Sequence, residues 1–590
     1  LHTAHTGSRH NGAQSRLSTV TTNVKRSLLV VGFSVIASGC ATYGKGVEKA
    51  LTEVEQGQFV AAEQSFKKAL DAQGNDRLLY HLELGVVKHL QNDFAASNAM
   101  LEQAERIAEQ LETTSVTDTM TVMMSNPRQG PYGGADFEKV YINYYKALNY
   151  FGMAEQATNR SDYLSALEGA RIESRRLIIR LNNLNTLKGT YAEQAEKDDQ
   201  LFNKILKIFE KLQGNLVDMD QLQYRDDAMA HYLTGISFEM NGEYDNARIS
   251  YEKAAKSYEG GFVKQFRLDE EMTEQAWFDA IRMMYKDGLN TKARKARKDK
   301  LSPQRQAELK RWLSDDFAQL VVLEHKGLAP QRREMNLSLS TNPTLKALEL
   351  TPYAFATDRY QLAWFYLLYA DKNFVDALAN YLDAMEVGIA LNSFTKTQTL
   401  GPLWDTAVDL GVINAIGGST RVTVPYYRPA KPLGASQLKI NDTTVPMIKA
   451  SNPAQMGIQE QMTRSSTDIQ LALARAVLKG LTADTVGKAG GFMSMVGSVG
   501  KLTAQLTDAA ETRNWLLLPQ DIRVRRVLVE PGQHELELNS QLHGKQKHHS
   551  SITMDVKAGD IRLWRVRSLP APATGANVPV EEPVLQTAEN

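Results

Sequence analysis

Three copies of one spacing of small and aromatic residues confine much of this chain to stacked helical hairpins. Gly57, Phe59, Ala62, Phe66 and Ala69 are followed 35 residues later by Asn92, Phe94, Ser97, Leu101 and Ala104, with Leu84 and Gly85 in the helix before them. The pattern returns at Gly235, Phe238, Gly242, Tyr244, Ala247, Tyr251 and Ala254, its fullest copy. Glycine or alanine at a helix crossing lets two antiparallel helices approach closely, and aromatic rings fill the holes between them. A hairpin of this kind leaves one face open until another stacks on it.

The three copies resemble tetratricopeptide repeats. Two weaker copies, Tyr150, Ala154, Tyr163, Ala166 and Ala170, then Phe365, Leu368, Phe374, Ala377, Tyr381 and Ala384, also fit ordinary amphipathic helix pairs. Long inserts separate the copies, so the expectation is a mainly α chain with an irregular helical solenoid over residues 40–315, a surface suited to peptide or protein partners. Residues 113–136 interrupt it with Pro and Gly, which preclude a helix and suit a connector or a loop lining the concave face. Leu84, Phe94, Tyr132, Tyr150, Tyr163, Phe238 and Tyr244 are the candidate walls of a partner-binding groove.

Upstream lies the only cysteine, Cys40. Lys25 and Arg26 precede a short apolar run from Ser27 to Ile36, and Ala37, Ser38 and Gly39 give a peptidase access to the bond before the thiol. This is the architecture of a bacterial lipoprotein signal at residues 24–39, with acyl chains on Cys40. Residue 41 is Ala, not the Asp of inner-membrane retention, so the resemblance implies the outer membrane. Residues 1–23 fit no signal and read as an over-long N-terminal extension. With one cysteine no intrachain disulfide is possible.

Lys+Arg and Asp+Glu are equal at 68 each, so no global field favours nucleic acid. Past residue 315 the character changes. Residues 316–515 read as a mixed helical and strand region, with strands at 319–324, 421–426 and 437–442 and a helix at 468–481. The glycine-rich stretch 487–500 suits close helix packing or a membrane-surface loop. Alternation at 522–529, 535–538, 551–556 and 561–566 predicts a small β module over 516–569, with charged residues on one face and Val, Leu, Ile and Trp on the other, a sheet half buried against something else in the chain. Residues 570–590 read as a disordered tail.

Nothing in the sequence composes a catalytic site: no Walker loop, zincin motif or nucleophile elbow occurs. His534, His543, His548 and His549 lack metal-ligand spacing and read as solvated loop residues, so neither metal nor cofactor is expected. Asp315-Asp316 and Glu270-Glu271 are adjacent, which points paired carboxylates apart on a helix. The basic run Lys292 to Lys300 reads as a solvated face or as a contact for an anionic envelope surface.

The lipobox, the Pro131 to Val140 block with Ala147 to Tyr150, and the blocks Val321 to Pro330, Leu471 to Lys479 and Ala510 to Pro519 resemble a family of proteobacterial lipoproteins with tetratricopeptide-like repeats and no assigned activity. Members of that family are encoded near small envelope lipoproteins resembling activators of peptidoglycan synthases, which implies a cell-envelope role. The expectation is a non-enzymatic, lipid-anchored outer-membrane protein facing the periplasm, a scaffold for envelope proteins. Its rivals are a regulator of a peptidoglycan synthase, a structural subunit of a larger envelope, secretion or flagellar assembly, including a homo-oligomer, and an enzyme with a site built from distant residues.

Overall fold

The structure is a computed structural model that describes residues 43–112, 127–186, 208–209, 227–353, 359–369, 395–428, 430–480 and 509–570. The expected signal segment, Cys40, residues 113–126, most of the last weak repeat copy, the 487–500 stretch and the expected tail beyond 570 lie outside the described residues. Among the described residues about 55% are helix and 22% strand, with helices in the N-terminal half and the sheets in the C-terminal part.

Helices pair off along the chain: α1 (Glu48–Glu55) with α2 (Phe59–Ala69), α3 (Arg77–Leu90) with α4 (Phe94–Glu112), α5 (Asp136–Gln156) with α6 (Arg160–Thr186), α7 (Ala228–Met240) with α8 (Tyr244–Ser257), and α9 (Glu271–Lys286) with α10 (Asn290–Lys300). Each pair touches the next, and α11 (Pro303–Trp312) packs on α9. Four of the turns are one device repeated. Gly57, Asn92, Gly242 and Gly288 hold φ between 59° and 76°. The following N–H in each, from Gln58, Asp93, Glu243 and Leu289, reaches back to the carbonyl of Glu53, Lys88, Phe238 and Met284 at 2.8 to 3.0 Å. This left-handed residue with its long return bond satisfies carbonyls that a helix end leaves open. At the crossings, a Cβ on Gly235 would lie 2.5 Å from the Tyr251 ring, and one on Gly85 would lie 2.7 Å from Leu101. These glycines let the paired helices meet, as the spacing predicts.

The sheets depart from the expected layout. Strand β1 (Ala318–Lys326) lies between β12 (Ile561–Ser568), parallel to it, and β9 (Asp521–Val529), with β8 (Ile448–Ser451) outside β9. A second sheet orders β11 (Lys547–Val556), β10 (Gly532–Gln541), β6 (Ser436–Ile440) and β7 (Thr443–Pro446). A third orders β4 (Lys396–Thr399), β3 (Ala347–Pro352), β2 (Arg332–Asn342) and β5 (Thr420–Tyr427). It packs on the helices α12 (Arg359–Tyr369), α13 (Leu403–Asp409), α14 (Val412–Ile416) and α15 (Pro453–Gly480). The stretch 516–569 is therefore no separate module. Its strands are divided between two sheets, each completed by strands from earlier in the chain, and the chain changes sheets at Gly532, where φ is 134°.

All nine residues of β1 are buried, which explains that division: a strand covered on both faces needs neighbours on both edges as well. Ala318, Leu320 and Val322 face the second sheet with Leu438, Leu536 and Leu538. Val321 and Leu323 face the helices with Tyr144, Tyr145 and Trp515. The sheet does pack against another part of the chain, and its charged side chains take part in that contact. Arg526, Arg565 and Arg567 lie on the helix side, each answered by a group from the helical half or from the segment beside it.

Candidate functional site

The seven residues expected to wall a partner groove do not form one. Leu84, Phe94, Tyr132 and Phe238 are buried, while Tyr150, Tyr163 and Tyr244 are half-buried. Phe94 lies under the Arg565 guanidinium at 4.6 Å, Arg175 stands 5.7 Å over Phe238, and Lys286 stands 5.2 Å over Tyr244. The Tyr150 ring covers Gly169, and Tyr163 borders a shallow recess with Phe151, Met240 and Leu563. The physical reason is occupancy: neighbouring helices cover Tyr150, Phe238 and Tyr244, β12 covers Phe94 and Tyr163, and the helical half packs on the chain's own sheets.

Three polar assemblies make that contact. In the first, Arg526 of β9 enters between α7, α8 and α9. Its guanidinium meets Glu239 at 2.8 Å and Asp279 at 3.5 Å and donates to the Tyr251 hydroxyl at 3.0 Å, while Arg282 bonds Asp279 at 2.8 Å. The four charged side chains are at most 1% exposed. Burial pushes both carboxyls up, but the two guanidinium groups more than offset it and hold Glu239 and Asp279 below the ordinary carboxylate range. In the second, Tyr144 meets His325 at 2.9 Å, and burial holds that imidazole well below its usual pKa.

The third assembly is a clasp around residues 511–518, a segment outside helix and strand with a turn at Leu516 and Leu517, threaded between the helices and the sheets. Two carboxylates receive its backbone. Glu83 of α3 accepts from Leu516 N at 2.8 Å and Leu517 N at 3.1 Å, and also from the Tyr43 hydroxyl at 3.1 Å. Glu138 of α5 accepts from Trp515 N at 2.8 Å and from the Tyr132 hydroxyl at 2.6 Å. Arg513 donates to the carbonyls of Asn75, Pro127 and Gly130 at 3.0 to 3.2 Å. Asn514 bridges to Arg332 N and Pro330 O at 3.2 and 3.1 Å. Burial pushes Glu83 up to about 8 against the lowering pull of the two amides. Three of the sequence blocks singled out above, 131–140, 321–330 and 510–519, thus meet at one place. Their polar residues are the signal that alternation counts pass over.

Beside the clasp opens a cleft of about 340 Å³. One wall is α1, through Glu48, Leu51 and Glu55, and the other is formed by Leu328, Lys431, Leu433 and His543. It adjoins the first described residues, since Gly44 is pressed against Gln331 of the same cleft and Tyr43 N donates to Thr512 at 3.4 Å. Among the described residues no cluster of three His, Cys, Asp or Glu side chains could hold a metal ion. His548 and His549 fall within β11, not in a loop. The basic run is α10, where Lys292 and Lys300 bond Glu252 and Glu259 at 2.6 Å while Arg294, Lys295 and Lys298 are exposed. No family model matches the chain, and no curated protein or solved structure matches it.

Proposed function

We propose that this chain is an outer-membrane lipoprotein, held by acyl chains on Cys40 and facing the periplasm, that serves as a non-enzymatic interaction scaffold in envelope assembly. The observation that carries the anchoring is the sole cysteine, set behind a basic pair, a short apolar run and three small residues. Acyl chains contribute about 0.8 kcal/mol per buried methylene, so two or more give stable attachment. The described fold starts three residues later at Tyr43, which is buried and bonded to Glu83, so such an anchor would carry a rigid body on a short tether. Among the described residues no helix is long and apolar enough to cross a membrane.

The scaffold reading rests on the paired helices, which we take as an irregular tetratricopeptide-like solenoid. Because its inner face is filled, partners meet the outer helices. There Leu164, Ile172 and Ile179 of α6 are 50%, 43% and 59% exposed at near-heptad spacing. Crosslinking in intact cells, then purification of the acylated protein and mass spectrometry, tests this. A captured envelope-assembly component, lost on Ile172→Glu with Ile179→Glu, is the expected result, and a peptidoglycan synthase would make the protein its regulator. Recovery of this chain alone in large assemblies would replace the scaffold with a structural subunit.

A further inference from the structure

The cleft beside Tyr43 has a charge pattern that the scaffold reading leaves unused. Lys431 lies on its rim, in the loop before β6. Lys545 lies on the β10–β11 turn and Lys547 opens β11, and His543 of that turn holds the two loops together through the Pro432 carbonyl at 3.2 Å. Lys45 stands exposed in the short helix Tyr43–Gly46. None of these four lysines has an ion-pair partner among the described residues, whereas Lys292 and Lys300 of the basic run do. Glu48 and Glu55 on the opposite wall leave the surround with an excess of positive charge.

Tether length decides what this charge faces. Two residues, Ala41 and Thr42, separate Cys40 from Tyr43, and a chain spans at most about 3.6 Å per step, so the Cys40 Cα lies within about 11 Å of the Tyr43 Cα. Lys45 is two residues past Tyr43, and Gly44 abuts Gln331 of the cleft that Lys431 and His543 line, so this end of the body is the one the anchor brings toward the headgroups, where charge acts over about 8 Å at physiological salt.

We propose that the face carrying Lys45, Lys431, Lys545 and Lys547 lies on an anionic phospholipid surface, seating the body against the leaflet that holds its acyl chains. This rests on Cys40 acylation, the reading given above. The seating fixes which helices point away from the membrane: those on the far side of the cleft remain free for partners.

The test uses the chain from residue 40 onward carrying Cys40→Ser, which cannot be acylated, sedimented with vesicles of phosphatidylcholine alone or with one-third phosphatidylglycerol. Binding only to the anionic vesicles, weakened at high salt, is expected. Charge reversal of Lys431, Lys545 and Lys547 to Glu should lower it by about fivefold or more per residue. Reversal of Arg294, Lys295 and Lys298 on α10 should leave it unchanged. Equal loss from the two triple variants, or binding indifferent to the first, overturns the inference. Because all six side chains are exposed, an unchanged thermal midpoint verifies folding, and the corresponding Lys→Gln set serves if reversal perturbs it. Palmitate labelling of Cys40 in cells is read separately. Labelling without lysine-dependent vesicle binding retains the anchor and removes the seating, while vesicle binding without labelling removes the anchor.

Discussion

At the residue scale, two kinds of position carry the helical half. Small residues at crossings are one kind. Gly235→Ala places a methyl group 2.5 Å from the Tyr251 ring, which is itself fully buried and bonded to Glu239, so the ring cannot swing aside. Overpacking of this sort costs about 1–3 kcal/mol. Gly57→Ala meets nothing, and its cost of about 1 kcal/mol comes from φ of 72° alone. Urea midpoints of the two variants should differ in that order. Buried charge is the other kind. Lys146 of α5 meets Glu102, Glu105 and Glu173 at 2.6 to 3.1 Å. Burial opposes ionisation of Glu105, but Lys146, Asn143 and Arg180 pull it down to about 2. A depressed carboxyl contributes stability above its unfolded value and loses it as pH falls through the folded one. Glu105→Gln should therefore cost less than the roughly 3 kcal/mol of a stranded buried charge, since Lys146 keeps two partners. The deficit against the parent should shrink between about pH 5 and 2, read by denaturant unfolding at each pH.

At the element scale, helix ends and strand positions were legible, but strand partners were not. Gly57, Asn92 and Gly242 announce their hairpins because an aromatic follows two residues on, whereas Gly288 makes the same turn before Leu289 and Asn290 and a run of charge, so that hairpin carries no aromatic signature. Apolar β-branched runs locate β1 and β5 and alternation locates β9 and β12, yet no local pattern shows that Gln319 pairs with Ile561 or that Arg523 and Arg526 of β9 are buried. Segment 511–518 forms no helix or strand, and its order comes from side chains of α3 and α5. Its hold should follow the charge of Glu83. That carboxyl titrates near 8 in the fold and near 4.5 when unfolded, so its contribution is full below 4.5 and lost as pH rises through 8. Parent stability relative to Glu83→Gln should thus fall from pH 5 to 8. Arg513→Ala, which removes the Arg513 donors to the Pro127 and Gly130 carbonyls at a cost of about 1–3 kcal/mol while Asn75 O keeps the Tyr132 amide, should speed hydrogen exchange at Leu516 and Leu517 before the rest of the chain responds.

For the whole molecule, the polar lining of the helix–sheet contact determines whether the halves can exist apart. The array's inner helices present Tyr141, Tyr144, Tyr145 and Tyr258 toward the sheets, and the sheets supply Ser451, His325, Arg567 and the Ala450 carbonyl in return. Arg526 is the deepest of these contributions. Without it Glu239 and Asp279 share Arg282 alone, and removing one partner from a buried ionic group costs about 3–5 kcal/mol. That is a large fraction of the 5–15 kcal/mol that holds a typical domain together. A chain ending at residue 316 should therefore be aggregation-prone or loosely packed, with weak near-ultraviolet dichroism and strong dye binding, although its turns and crossings are intact. Co-expression with residues 317–590 should restore a soluble complex, and Arg526→Met in that second piece should weaken the restoration more than Arg525→Met, whose guanidinium meets only an exposed Glu271 at 2.7 Å. If the first piece alone gives native-like spectra and cooperative unfolding, the helices form an autonomous domain whose inner face is open to other ligands, and the sheet is then an occupant of the groove, not part of its foundation.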